Sequence, residues 1–316
     1  DGAIACYKQA IQIKPDYADA YNNMGDALRA RGDLDDAIDS FKQTLKIRPD
    51  YAEAYYNMGN ALKDKGDLEA AIVSYKLAIK IKPDYAKAYN NIGNALKGKI
   101  FTKPNSGLQE VIAAIIDRKT CTKPRDISNA AISLLKFETV IRTFYKKHCS
   151  GELKQSLKEA IEGLSKLPLL LKLMRVFPLT DIELESILVD IRSSLLSSVS
   201  EMPASSEVLC FQSALALQCF TNEYIYNQSE QETKALEALE TAVEETLLKG
   251  AQPSPQSVLC LATYRALHQY TWCHLLTLNL DIKEVFTRQI IEPMQESELK
   301  SNIPALQEIS DNVSSK

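Results

Sequence analysis

The sequence predicts an all-α protein, a short solenoid of helical hairpins followed by an irregular α-helical domain. Three observations carry this. One phrase recurs every 34 residues near the start: Pro15-Asp16-Tyr17-Ala18, Pro49-Asp50-Tyr51-Ala52 and Pro83-Asp84-Tyr85-Ala86. Apolar residues follow the three- and four-residue spacing of helices, both inside this period and beyond it. No run of alternating apolar and polar residues stands out as a strand, and glycine (11) and proline (12) are sparse among 316 residues.

The repeats come first because a fixed period sets the architecture. Behind each phrase stand Tyr21-Asn22-Asn23-Met24-Gly25, Tyr55-Tyr56-Asn57-Met58-Gly59 and Tyr89-Asn90-Asn91-Ile92-Gly93. Helix A of the first full repeat, about Tyr17–Arg31, places Ala20, Tyr21, Met24, Ala27 and Leu28 on one face. Gly25, Gly59 and Gly93 remove a side chain where a second helix crosses, and Ala37 and Ala71 do the same from the other side. A mid-helix glycine costs about 0.5–1 kcal/mol against alanine, so its recurrence implies a return in packing. Gly32-Asp33 and Gly66-Asp67 turn the chain into helix B, and the prolines end that helix. The pattern resembles the tetratricopeptide repeat (TPR) family: an aromatic, then Gly, then Ala37…Phe41…Pro49 and Ala71…Tyr75…Pro83. On this reading residues 1–100 divide into a partial repeat 1–14, full repeats 15–48 and 49–82, and a broken one at 83–100, where Ile100-Phe101 replaces Gly-Asp. A chain that starts at Asp1 inside a repeat is expected to be a fragment.

The side of helix A opposite its apolar stripe carries the candidate site. It reads Asp19, Asn22, Asn23, Asp26 and Arg29, then Glu53, Tyr56, Asn57, Asn60 and Lys63, then Lys87, Asn90, Asn91, Asn94 and Lys97. The resemblance implies that these positions line a concave groove. Asn23, Asn57 and Asn91 hold one position per repeat. They are similar to the asparagine ladder of O-GlcNAc transferase superhelices, which grips a peptide main chain. An Asn amide has two donors and an acceptor oxygen, enough to bond a backbone C=O and N–H together. The expected site is therefore Asn23, Asn57 and Asn91 with Asn22, Asn90, Tyr56, Asn60, Asn94, Lys63 and Lys97, and its partner an extended peptide or protein. A carboxylate clamp would draw on Lys63, Lys87 and Lys97. The competing expectation is structural: Asn tolerates a solvated face or bonds a neighbouring helix.

Residues 101–316 keep helical text without the period, with room for a sub-boundary near 176–205. Ser106-x-x-Gln109 and Thr180-x-x-Glu183 read as capping boxes, and Ser254-Pro255 as an N-cap with proline at N1. Helices are expected over 107–118, 126–147, 152–175, 181–199, 206–227, 230–249, 255–279 and 281–291. Phe211, Leu215, Cys219 and Tyr226 share a helical spacing and read as core. Leu167–Met174, Phe211–Tyr226 and Ile309–Lys316 resemble the helical connector of bacterial proteins that join TPR repeats to an S-adenosylmethionine-dependent methyltransferase. That resemblance implies a non-catalytic, substrate-recruiting front part, with the catalytic domain absent from this chain.

No catalytic chemistry is evident. There is no Gly-x-Gly, Walker-type loop or Gly-x-Ser-x-Gly elbow. His268 and His274 are six apart, about 120° around a helix. His148-Cys149 are neighbours, which point different ways on a helix. The chain is therefore expected to be no enzyme and to hold no metal or cofactor. Seven cysteines without a Cys-x-x-Cys pair suggest reduced thiols in a cytoplasmic setting. Leu167–Leu179 and Leu259–Leu280 are both interrupted by charged or polar residues and fall short of a membrane span. Net charge is −4. Residues 101–175 hold 14 Lys/Arg against 7 Asp/Glu and residues 176–316 hold 8 against 20. The basic stretch lacks interleaved aromatics, which favours a solvated face over nucleic acid.

Overall fold

A computed structural model describes residues 2–118, 122–201 and 205–301 of the chain. All regular structure among them is helical. The backbone forms two compact units, one of residues 1–101 and 105–130, the other of residues 102–104 and 131–316. The segment Ile309–Lys316, one of those on which the expected connector resemblance rests, lies outside the described residues.

In the first unit, α1 (Gly2–Ile13) precedes two helical hairpins of equal length. These are α2 (Ala18–Arg31) with α3 (Leu34–Ile47), and α4 (Ala52–Lys65) with α5 (Leu68–Ile81). Each turn closes the same way. Gly32 and Gly66 take left-handed backbone at φ +96° and +92°. The following amides, Asp33 and Asp67, then reach back to Leu28 and Leu62 carbonyls at 3.0 and 2.9 Å. These are the bonds of a Schellman stop, a conformation that glycine adopts without a side-chain penalty.

Gly25 and Gly59 are required by close approach. A Cβ on Gly25 would lie 2.7 Å from the Phe41 ring, and one on Gly59 would lie 2.6 Å from the Tyr75 ring. Both rings are fully buried. The third repeat departs from this at the same position. Its helix A, α6 (Ala86–Leu96), stops three residues sooner than α2 or α4, and Gly93 meets the Thr122 side chain rather than an aromatic ring. Two helices complete the unit's described course, α7 (Ser106–Asp117) and α8 (Pro124–Leu135), the division between units falling within α8.

The second unit contains α9 (Thr139–Cys149), α10 (Leu157–Leu164), α11 (Pro168–Val176), α12 (Ile182–Ser198), α13 (Ser206–Thr221), α14 (Glu230–Leu248) and α15 (Pro255–Ala262). After a run of 3-10 turns come α16 (Lys283–Phe286), a π-helical turn over Thr287–Ile291 and α17 (Glu292–Ser301). α13 is buried around its whole circumference, from Val208 to Cys219 with only Cys210 partly open. It packs against α10, α11 and α15 as the unit's central helix.

Four expected helices are shorter than the sequence pattern suggests, the one over 206–227 ending at Thr221. The one over 126–147 breaks at Lys136–Glu138, where Lys136 pairs with Asp181 at 2.8 Å and Glu183 at 3.1 Å and its carbonyl accepts from Arg142 Nε. The one over 152–175 opens as a 3-10 turn and restarts at Pro168, which cannot donate inside a helix. The one over 255–279 ends at Ala262. Beyond it, buried Tyr264, Leu267 and Tyr270 recur every third residue, the period of 3-10 structure. Fully buried Gln289 serves the broken end. It donates to the Ala262 carbonyl at 3.3 Å and accepts from Leu267 N at 3.2 Å.

Two caps shift by one residue. Asn105, one residue before the expected position, accepts from the Leu108 amide, and Asp181, not Thr180, accepts from Leu184. Ser254 caps α15 with Pro255 at its first position, as the sequence suggests. Phe211, Leu215 and Cys219 are core, whereas Tyr226 lies past the end of α13 and is only half-buried.

Gly59→Ala is expected to lower stability by about 1–3 kcal/mol, because the added methyl collides with a ring that is boxed in on all sides. Urea unfolding of the two proteins checks this, and an unchanged midpoint would mean that the Tyr75 ring can move aside.

Candidate functional site

The glycine–aromatic contacts draw helix B onto helix A and set each helix A beside the next. This brings the polar rows of α2, α4 and α6 together, and the asparagines then show a repeating bond. Asn57 Nδ2 donates to Asp26 Oδ2 at 3.0 Å and Asn22 Oδ1 at 3.4 Å. Asn91 Nδ2 donates to Asn60 Oδ1 at 2.8 Å and lies 3.4 Å from the Tyr56 hydroxyl. Tyr56 and Asn60 are Asn22 and Asp26 moved on by 34 residues. One geometry therefore joins each helix A to its predecessor. Asn57 is buried, Asn91 half-buried and Asn23 exposed, so the three equivalent amides do not share one environment. The donors of Asn57 and Asn91 are spent between repeats. Neither Oδ1 carries a hydrogen bond among the described residues.

The row differs between repeats in a correlated way. Tyr75 replaces Phe41, and its hydroxyl donates to Asn60 Oδ1 at 2.9 Å. Where Phe41 offers no hydroxyl, Asp26 stands in place of Asn60. Burial raises the Asp26 carboxyl above its ordinary range; Arg29 opposes this and Glu53 adds to it. Burial also pushes the Tyr85 hydroxyl up to about 12, with Glu53, Tyr56 and Asp26 reinforcing the shift. The Tyr56 ring lies tilted against Tyr85 and Tyr75, with centroids 5.0 and 5.8 Å away. These rings place an aromatic wall beside the amides.

The remaining predicted residues are dispersed. Asn22 and Asn60 are buried, Asn90 is half-buried, and Asn94 is exposed. Lys63 is exposed, 3.9 Å from Asp64, which itself pairs with Arg29 at 2.9 Å. Lys97 sits 3.4 Å from Asp126. At the rim, Asp19 accepts from Arg48 at 3.1 Å and from the Tyr51 hydroxyl at 2.9 Å, and the Arg48 guanidinium lies over the Tyr51 ring. Sequence reading missed Tyr75, Tyr85 and the Arg48–Asp19–Tyr51 group. Superposing the two repeats position by position shows the paired change at 26/60 and 41/75, the one signal that points to Tyr75.

The histidine candidates are engaged elsewhere. His268 and His274 lie in separate 3-10 turns rather than on one helix, each with Nδ1 near a backbone carbonyl, of Gln289 and Thr271 respectively. His148 Nδ1 is 2.6 Å from Asp190 Oδ2. Among the described residues, no group of three or more His, Cys, Asp and Glu comes together around a metal-sized site. No described helix is long and apolar enough to cross a membrane.

Comparison with known proteins places the first hundred residues. Residues 1–28, 25–66 and 59–99 match the family model described as TPR repeat. A search of curated proteins found no match. Among solved structures, the chain is similar to YrrB, described as a TPR protein with an unusual peptide-binding site. Identity there is 17%, the match covers 75% of this chain and 91% of that one, and the TM-score is 0.31.

The raised Asp26 pKa has a consequence for stability. The carboxyl is protonated more readily in the folded chain than in the unfolded one, so its contribution is fully present below the ordinary value of 3.8 and is lost as pH rises through the elevated folded value. Asp26→Asn keeps an acceptor for Asn57, as Asn60 is for Asn91, and removes that loss. The variant is expected to be more stable than the parent at neutral pH and to shed part of the decline above pH 3.8. Urea midpoints of both proteins across acid to neutral pH check the sign.

Proposed function

We propose that residues 1–100 act as a peptide-binding module, holding an extended segment of a partner protein along the polar faces of α2, α4 and α6. The observation that carries this reading is the pair of amide oxygens on Asn57 and Asn91. Their donors are fixed against the preceding helix, which orients each side chain and leaves its acceptor unused. Exposed Asn23 stands at one end of the row, with its Oδ1 accepting from Asn22 Nδ2 at 3.5 Å, and exposed Asn94 lies near the other. Packed helices lie about 8–10 Å apart and an extended chain advances about 3.3 Å per residue, so successive amides meet about every third residue of a bound peptide. An oriented acceptor selects a main-chain N–H, which every non-proline residue offers. Binding is then tolerant of sequence, with Tyr56, Tyr85 and Lys63 supplying side-chain preference.

The resemblance of residues 101–316 to a methyltransferase connector extends this reading. It makes the module the recruiting arm of such an enzyme. The reading frame after Lys316 decides that extension: a strand followed by a Gly-rich turn supports it, and an immediate stop codon ends it.

Peptides selected from a random library on the full chain give the test. Asn23→Ala is expected to weaken a selected peptide by about 3–10-fold, the worth of one lost hydrogen bond, with no change in melting temperature. Asn57→Ala should weaken binding and also lower stability, because it removes the link to Asp26. Fluorescence titration reads the first effect and a thermal melt the second. Unchanged affinity in both variants would remove the groove as the binding surface.

A further inference from the structure

The second unit contains an open cavity of about 650 Å³, walled by α11, α13 and the segment from Leu280 to Glu292. One face of α13 lines it with Ser206, Leu209, Cys210 and Ser213, at the three- and four-residue intervals of a single helical side. One buried donor at this wall lacks an acceptor, and a second is held only by an ion pair without hydrogen-bond alignment.

Ser213 is 5% exposed and its hydroxyl makes no hydrogen bond among the described residues. A mid-helix serine commonly turns its hydroxyl to the carbonyl four residues back. Ser197 and Ser198 do so on α12, whereas Ser213 does not. The second donor is Arg175 Nε. It is buried without a hydrogen bond, since Glu284 stands at 3.5 Å in an ion-pair contact without hydrogen-bond alignment. The other end of the same guanidinium donates to the Cys210 sulfur at 3.3 Å.

Cationic groups add to this surplus of donors. Arg288 lines the cavity and gives one N–H to the Arg175 carbonyl, but no carboxylate lies within ion-pair distance of it among the described residues. Lys283 lines the cavity as well, and Asp281, Glu284 and Glu292 offset the three cations, so what singles out a ligand is the unmet Ser213 hydroxyl and the unpaired Arg288 rather than the overall field. An unpaired buried donor is destabilising, and an acceptor-rich group relieves that cost while a cation or a hydrocarbon does not. Leu280, 79% exposed, and Leu209 supply an apolar surface in the same cavity.

We propose that this cavity binds a small amphipathic anion, with its carboxylate or phosphate oxygens seated among Arg175, Arg288 and Ser213 and its apolar body against Leu209 and Leu280. Guanidinium groups suit both oxyanions because their paired N–H bonds match the spacing of two ligand oxygens. The site lies in a different unit from the peptide-binding face and does not depend on it.

Cys210 reports occupancy. The full chain is alkylated with iodoacetamide in the presence of phenyl phosphate, benzoate or benzyl alcohol, and the rate at each cysteine is read by peptide mass spectrometry. Exposed Cys6 and Cys149 serve as internal controls. With phenyl phosphate or benzoate at about twice its Kd, Cys210 should react about threefold more slowly while the controls are unaffected. At equal concentrations of the two, the one that protects more identifies the oxyanion. Ser213→Ala breaks no hydrogen bond, so it should keep the melting temperature and lose part of the protection; Arg288→Gln should lose most of it. Protection by benzyl alcohol equal to that of the anions, or no protection by any probe, overturns the proposal.

Discussion

The first unit depends on one contact made twice: a glycine on helix A lying against an aromatic ring on helix B. At Gly25–Phe41 and Gly59–Tyr75 the absent side chain lets a ring come up against backbone, which fixes how closely the paired helices approach. Everything on the polar face inherits that spacing. The reach of an Asn amide is short, and Asn57 and Asn91 can bridge to the preceding helix A only because the hairpins stack at a constant interval. Repeats that share such contacts are stabilised by their neighbours as much as by themselves.

This changes what the asparagines are. A side chain free in solution could offer both donor and acceptor to a peptide. Here the amide donors form the links between repeats, and the oxygens are held in the orientation those links impose. In the binding mode we propose, structural and binding uses of the same residue do not compete, since the first pre-orders the second. Holding a group in its bound orientation lowers the entropy lost on association. The Tyr75–Asn60–Asn91 chain shows the arrangement at its fullest, with a buried hydroxyl, an amide oxygen and the next amide joined in series. In the earlier repeat a partly buried carboxylate occupies the middle position, and desolvation is the cost there.

The repeated hairpins were legible because every cue for them is local and occurs more than once. Proline, glycine turn and small residue fall at fixed offsets, and the observed helices begin and end within a residue or two of those marks. At the third repeat Ile100-Phe101 stands where Gly32-Asp33 and Gly66-Asp67 turn the chain, and α6 ends three residues sooner than α2 or α4. The second unit resisted reading where helix ends are decided by distant residues. Nothing near Ala262 announces that Gln289 will take its carbonyl, and nothing near Lys136 announces Asp181. The apolar pattern runs on past both points. The partners of Asn57 and Asn91 were likewise out of reach, because spacing shows which face a residue occupies but not which neighbour it meets. Bonding to a neighbouring helix was one of the two expectations for these amides, and the sequence alone does not choose between them.

The central claim is that the asparagine amides are locked between repeats while their oxygens face a ligand. Nuclear magnetic resonance of the side-chain NH2 groups, with and without a selected peptide, tests it most directly. The account predicts slow hydrogen exchange at Asn57 and Asn91 in the free protein, faster exchange at Asn23, and magnetisation transfer from peptide backbone amide protons to the neighbourhood of all three on binding. Fast exchange at Asn57 and Asn91, or peptide signals that fall only on the outer faces of α3 and α5, would contradict it.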